Sequence, residues 1–344
     1  MSALDDAAAR DRPLGPADER VRAARGVAVR LGLFEALAEA RSTAAELAAR
    51  LGADADALEV LADALVCVGL LKKHGGRYAN GDVAADPARP GESGDLRGDP
   101  PVAAGRPRGI EPRLLRAVRG FAAGTPSMPR TLSQELYRDA QVLGPRLAQA
   151  VDLSGRRRLL DVGGGLGGYA AAFCDAYPQL HATVLDLPGT VREGRRLAAQ
   201  RPPAQQTASD RETEEGTGAA SRLAFVAGDF LQDPLPRGFD VVLASDILHG
   251  QRAPDAARLV GALHDALDPG GLLVVREVLM DPERTGPPWA ALFSLTLLAA
   301  SASRCYAEDE VRAWLAEAGF VDVREAVVDS EPWDPNRVLL AAKT

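Results

Sequence analysis

Residues 158–173 read RLLDVGGGLGGYAAAF. An apolar run gives way to a glycine cluster, and the cluster opens into an Ala-rich segment of helical character. Gly163, Gly165 and Gly168 satisfy G-x-G-x-x-G, the fingerprint in which backbone amides and a helix N-terminus cradle a pyrophosphate. Gly163, Gly165 and Gly167 also satisfy G-x-G-x-G, with Asp161 two residues ahead. The two patterns predict different ligands and different chemistry.

Outward from this stretch, strands and helices alternate from residue 156 onward. RRLLDV, HATVLDL, RLAFVAGD, FDVVLAS and GLLVVREVLM read as strands with helical segments between most of them. That alternation predicts an α/β fold with a doubly wound, Rossmann-like parallel sheet over residues 156–344. FVDVREAVVDS and NRVLLAAKT add two runs joined by EPWDP. So short a join, with two prolines, has no room for a crossover helix, so the last strand is expected to run antiparallel. Residues 201–221 are polar, with Pro and Gly, and read as a disordered insertion.

The N-terminal part has another character. Residues 1–19 read as a disordered terminus, and residues 20–85 as compact helices closing on a hairpin. STAAELAARLG offers Ser42 or Thr43 as a helix cap with Glu46 in reach for a capping box. LLKKHGGRYAN gives two short extended runs about Gly75-Gly76. Helices followed by such a hairpin make a winged-helix pattern. Residues 86–112 are dense in Pro, Gly and both charge signs and read as a flexible linker; residues 113–155 read as connecting helices.

Composition narrows the function. The chain has 344 residues, 46% hydrophobic, which is ample for one large or two ordinary domains. A net charge of −8 argues against a nucleic-acid backbone as the main partner. Three scattered cysteines (Cys67, Cys174, Cys305) with no C-x-x-C suit a reducing, cytoplasmic setting. The N-terminus lacks a secretory pattern, and ALFSLTLLAA is too short to span a membrane.

Asp161 separates the two readings of the glycines. A carboxylate at the tip of that strand would repel a pyrophosphate and suits a ligand with positive charge. S-adenosylmethionine is such a ligand, with an ammonium, a sulfonium and no phosphate. Asp186, ending the second strand, can accept both ribose hydroxyls. Asp229 can accept an adenine amino proton while Phe230 packs on the ring face. Three acids at three successive strand tips describe an adenosine cleft without a phosphate.

In order, LLDVGGGLGG, TVLDLP, FVAGDF, SDILHG and LDPGGLLVVREVLMD resemble the motifs of S-adenosylmethionine-dependent O-methyltransferases. The likeness is to the plant caffeate-type and bacterial polyketide enzymes. RLGLFEAL, STAAELAARLG and LADALVCVGLL resemble that family's winged-helix dimerisation domain, which implies a homodimer. The resemblance implies S-adenosyl-L-methionine as cofactor and an aromatic small molecule as acceptor. It adds Ser245 of SDILHG to the cofactor set and makes His249 the base that takes the acceptor's proton. An imidazole is a plausible base for a phenol, which titrates near pKa ~10 against ~6.5 for His.

Two departures from the family pattern follow. The family's base is oriented by a carboxylate from the next strand, but the aligned position holds Arg276, with Glu277 one residue on. A one-residue shift turns a side chain to the other face. Either the strand bulges so that Glu277 faces His249, or the orienting carboxylate is absent. His249 is also followed by Gly250-Gln251, where the family shows Asp-Trp. Acceptor contacts are expected from Met128 and from Trp289, Phe293, Thr296 and Leu297, which fall near one face of a helix; the plain alternative is a core stripe.

Two further readings compete. A non-methylating family member would use the cofactor as a scaffold for hydroxylation, decarboxylation or cyclisation. A winged-helix regulator would need a basic face, yet residues 20–82 carry nine basic and eight acidic side chains. No His/Asp/Glu cluster has the sequence spacing of metal ligands, so no metal is expected.

Overall fold

A computed structural model describes residues 19–82, 128–201, 222–331 and 334–344. The chain divides into two compact units. The disordered N-terminus, linker and insertion expected from the sequence, and the helix expected near residues 113–124, fall almost wholly outside the described residues.

The first unit holds α1 (Glu19–Leu31), α2 (Leu33–Glu39), α3 (Ala44–Leu51), α4 (Ala55–Cys67) and a hairpin of β1 (Leu71–His74) with β2 (Arg77–Asn80). Thr43 caps α3 in the reciprocal box with Glu46, as its sequence predicts. Ser42 bridges Tyr78, extending the hairpin by one pairing. Leu33, Leu47, Leu58, Leu61 and Leu65 form its core, and the fully buried Tyr78 donates its hydroxyl to Asp63 Oδ1 at 2.7 Å. Residues 280–307, including α9 (Pro288–Ser301), group with this unit rather than with the sheet that precedes them. Helix α9 packs on α4, and Glu59 of α4 pairs with Arg284 at 2.8 Å and Arg304 at 2.9 Å. The sequence-based boundary, a single domain over 156–344, misses this return of the chain because its ties span more than 200 residues.

The second unit is a seven-stranded sheet in the order β5-β4-β3-β6-β7-β9-β8. Its strands are β3 (Arg158–Val162), β4 (His181–Asp186), β5 (Leu223–Ala227), β6 (Phe239–Ser245), β7 (Leu267–Glu277), β8 (Val321–Ala326) and β9 (Arg337–Ala342). Five run parallel; β9 runs antiparallel to both neighbours, in keeping with the short join before it. Central strands are apolar on both faces, with Leu159, Leu160, Val162 and Val241–Ala244 fully buried, as a helix-covered parallel sheet requires. Helices α5 (Met128–Ala150), α6 (Gly168–Ala176), α7 (Pro188–Ala198), α8 (Ala253–Ala266) and α10 (Glu308–Glu317) complete the unit.

Two points of this architecture set the site. The strand order reverses at β3, which pairs with β4 on one side and β6 on the other, so a crevice opens beyond its carboxyl end. Helix α6, which starts at the glycine cluster, is held by a close crossing with α5. A Cβ on Gly144 would lie 2.7 Å from that of Ala172, and one on Gly168 would lie 2.6 Å from that of Ala140. Gly144→Val is therefore expected to lower stability by about 1–3 kcal/mol, read as a fall in Tm. A Tm unchanged from wild type would mean the crossing is looser than it looks.

Candidate active site

The crevice at the switch point begins with Asp161. It is 1% exposed, and neither carboxylate oxygen has a hydrogen-bond partner among the described residues. Burial, with Asp186 adding repulsion, pushes its pKa up to about 8. The glycines make room around it. A Cβ on Gly164 would sit 2.3 Å from the Asp161 Cγ. Gly163 has φ +65°, and a Cβ there would meet Ile247 Cγ2 at 2.7 Å and the Phe230 ring at 3.2 Å. The loop is thus wedged between the turn after β6 and the turn after β5.

Asp186 is engaged on both oxygens: Gly165 N donates to Oδ2 at 2.9 Å and Leu187 N to Oδ1 at 2.7 Å. Each oxygen keeps a second lone pair for a ligand hydroxyl. Asp229 Oδ1 accepts from Leu231 N at 2.9 Å, and the Asp229 amide donates to Asp233 Oδ2 at 2.8 Å. Ser245 donates its hydroxyl to Asp246 Oδ2 at 3.0 Å. The Asp161 carboxylate feels only a weak pull from the Ala170 amide. A buried carboxylate whose oxygens have no hydrogen-bond partner among the described residues, and which faces a glycine cradle, fits a cationic, N–H-bearing ligand and opposes a phosphate. The ammonium and sulfonium of S-adenosylmethionine meet that demand.

Glu277 ends β7 and is fully buried. Its Oε2 accepts from Leu248 N at 2.8 Å and His249 N at 3.3 Å, its Oε1 accepts from Val278 N at 3.1 Å, and Oε1 closes on His249 Nδ1. Of the two alternatives read from the sequence, the one in which Glu277 faces His249 holds, but without the bulge it invoked. The carboxylate is present, and no bulge delivers it. Strand β7 pairs without interruption through Ser245↔Arg276, Arg276↔Val338 and Glu277↔Arg337, and its irregular register with β6 lies far back, at Phe239/Val241. Alternation instead turns Arg276 to the opposite side. There its two terminal nitrogens reach Asp246 Oδ2 at 2.5 Å and Asp334 Oδ1 at 2.6 Å, and its Cζ lies 5.0 Å from the centre of the Tyr169 ring. Arg276 is no solvated surface residue, being 5% exposed.

Burial opposes a charge on His249, but Glu277 and Asp246 outweigh it and lift the imidazole to about 9. Asp246, His249 and Glu277 come within 4.8 Å of one another. Their sequence spacing hides this cluster, because the third member arrives on the neighbouring strand. Both carboxylates already accept from protein donors: Asp246 from Arg276, Asn336 and Ser245, Glu277 from three amides. Asp246, Asp334 and Asn336 are the polar residues that sequence reasoning overlooked; Arg276 enters it only as a departure from the family pattern.

The remaining expected residues lie apart from this cluster in the chain. Met128 opens α5, and its side chain lies outside the described residues. Trp289, Phe293, Thr296 and Leu297 lie on α9, in the helical unit. The Trp289 and Phe293 rings stack with centroids 4.8 Å apart; these two and Thr296 are half-buried, whereas Leu297 joins the buried face.

Two family models, several curated proteins and solved structures match the chain. A family model described as the O-methyltransferase domain matches residues 120–321, and one described as the O-methyltransferase dimerisation domain matches residues 23–86. The chain is 35% identical to the 3-hydroxy-5-methyl-1-naphthoate 3-O-methyltransferase of Streptomyces sahachiroi, over 86% of this chain and 85% of that one. It is 32% identical to the tetracenomycin polyketide synthesis 8-O-methyltransferase of Streptomyces glaucescens, over 88% of each. Among solved structures it is similar to an O-methyltransferase family 2 protein from Planctomyces limnophilus in complex with apigenin. That likeness has a TM-score of 0.70 and 27% identity, over 94% of each chain.

Proposed function

We infer the reaction in detail from a plain premise: the chain belongs to the S-adenosylmethionine-dependent O-methyltransferase family. Its cofactor is S-adenosyl-L-methionine, which when bound supplies an activated methyl group on a sulfonium sulfur. We propose that Asp161, Gly163, Gly165, Gly167, Asp186, Asp229, Phe230 and Ser245 bind it. The orphaned Asp161 supports this assignment, since it supplies the acceptor that a cationic ligand needs. We propose an acceptor hydroxyl on an aromatic, polyketide-type small molecule, consistent with the acceptors that the Streptomyces relatives are named for. Trp289, Phe293, Thr296, Leu297 and Met128 are the proposed acceptor contacts. The homodimer and a cytoplasmic setting belong to the same proposal. The dimerisation-domain match supports the first; three free cysteines, and no helix able to cross a membrane among the described residues, support the second.

One observation carries the mechanism: Nδ1 of His249 is held by Glu277. This fixes the ring, and Nε2 is the atom we propose takes the acceptor proton. Glu277 then stabilises the imidazolium that forms, and its own three amide donors hold it in place. The scaffold reading, which relied on a missing His–carboxylate pair, loses its support.

The pH dependence follows. A neutral imidazole is the working form, so kcat/KM is expected to rise with pH through a midpoint well above 6.5, toward about 9. Removing a negative neighbour destabilises the imidazolium, so Glu277→Gln is expected to move that midpoint down while reducing the plateau. A midpoint near 6.5 in wild type, or an upward move in the variant, would refute the pairing. The acceptor class is tested with a panel of hydroxynaphthoates, anthraquinones and flavonoids beside their amino and O-blocked analogues. Methylation of phenolic oxygens alone is expected; turnover confined to amines or aliphatic alcohols would overturn the acceptor class.

A further inference from the structure

We propose that Arg276 is a positioning residue for methyl transfer: it clamps Asp246, and with it the turn that carries His249, to the segment leading into β9. The proposal rests on the reaction inferred above and extends it to a residue that neither cofactor nor base requires by contact.

The turn needs a clamp. Asp246 follows β6 with φ +58°, a left-handed conformation uncommon outside glycine, which aspartate adopts when its carboxylate finds local partners. Here the surroundings are specific. Oδ2 accepts from Arg276 at 2.5 Å and from Ser245 Oγ at 3.0 Å; Oδ1 accepts from Asn336 Nδ2 at 2.7 Å; the Asp246 amide donates to Arg276 O at 2.9 Å. Three residues later the same turn delivers His249.

Arg276 anchors this turn to something outside it. Its other terminal nitrogen reaches Asp334 Oδ1 at 2.6 Å, and Asp334 is 5% exposed by side chain. Its face meets Tyr169 of α6, the helix that opens at the glycine loop. One guanidinium therefore joins the turn after β6, the end of β7, the approach to β9 and the cofactor helix. Well-packed apolar side chains could hold these elements together without the desolvation of three charges, but they could not fix a left-handed turn by its carboxylate. A planar fork that serves two acids from one side chain suits arginine; a lysine is a single point of charge on a flexible stem.

The position relative to His249 gives the clamp a chemical readout. Glu277 and Asp246 are the charged groups that face the imidazole, with Arg276 and Asp334 behind Asp246. Any change in where Asp246 sits changes the field at His249. A residue that merely braced the sheet would leave that field alone.

The chain has four histidines, so their imidazole proton resonances can be followed by NMR across pH, with His249→Gln identifying one of them. In Arg276→Gln the His249 midpoint is expected to move by more than about half a pH unit. Its kcat is expected to fall by about 100-fold while the S-adenosylmethionine Kd stays within about threefold. Arg276→Lys should recover only part of that loss. Asp334→Asn, which keeps the shape of the site, is a second variant should Arg276→Gln fail to fold; about a tenfold loss of kcat with the same split is expected.

A folded Arg276→Gln or Asp334→Asn with wild-type kcat and midpoint would overturn the proposal. So would a kcat loss matched by an equal loss of cofactor affinity, or full wild-type kcat in Arg276→Lys. The titration needs no turnover. A wild type that moves no methyl group would refute the reaction while leaving the clamp measurable.

Discussion

His249→Gln is expected to lower kcat by about 10²–10⁴-fold while the Kd for S-adenosylmethionine stays within about threefold. The size follows from what a positioned base contributes when the donor is already activated and the acceptor must lose a proton. The split follows from the fold. His249 stands on the turn after β6 and is held by Glu277 from β7, whereas the proposed cofactor acids stand at the ends of β3, β4 and β5. Glutamine preserves a polar side chain of similar reach but cannot act as a base near neutral pH. The measurement is steady-state turnover beside calorimetric cofactor titration on the same preparations. A variant that keeps wild-type kcat would remove His249 from the chemistry, and one that loses cofactor binding would make it a ligand rather than a base.

Asp161→Asn is expected to give the opposite split, and to stabilise the protein as it disables it. The Asp161 carboxyl is buried, without a hydrogen-bond partner among the described residues and lifted to about 8. Truncating one partner of a buried, hydrogen-bonded charge pair costs about 2–5 kcal/mol, so cofactor affinity should fall by about 100-fold or more. Stability should move the other way. A carboxyl whose folded pKa is raised from 3.8 to about 8 favours the fold at pH below 3.8, and that contribution is lost as pH rises toward 8. Asparagine does not titrate, so the variant's advantage in Tm should widen between pH 4 and pH 8, by roughly 2–4 °C per kcal/mol. A lower Tm at pH 8, or unchanged affinity, would contradict the account.

Much of this fold was legible in the sequence for identifiable reasons. Apolar runs bounded by glycine and charge located every strand of the large sheet to within a few residues, because a strand buried on both faces has little sequence freedom. The Thr43–Glu46 box and the Gly75-Gly76 hairpin are local, and local chemistry survives without tertiary information. The error at Arg276 and Glu277 had another origin. Counting along a strand assigns a face only if the register is known, and register here is set by β6 and β9 rather than by residues near Arg276. The partners of Arg276 stand 30 and 58 residues away, and those of Glu59 more than 200, beyond the reach of any periodicity. Sequence patterns found the ends of the strands; only pairing showed which side chains meet there.

The proposed crevice binds S-adenosylmethionine through Asp161 and passes its methyl group to an oxygen deprotonated by His249. The most direct measurement is transfer of a carbon-labelled methyl group from the cofactor to a phenolic acceptor, run with wild type, His249→Gln and Asp161→Asn at saturating and at limiting cofactor. The account predicts label on an aryl ether carbon in wild type. It predicts almost none in His249→Gln at either concentration, and recovery in Asp161→Asn when the cofactor is raised. Label transferred equally by wild type and His249→Gln, or cofactor bound tightly by wild type with no label on any phenol, would contradict it.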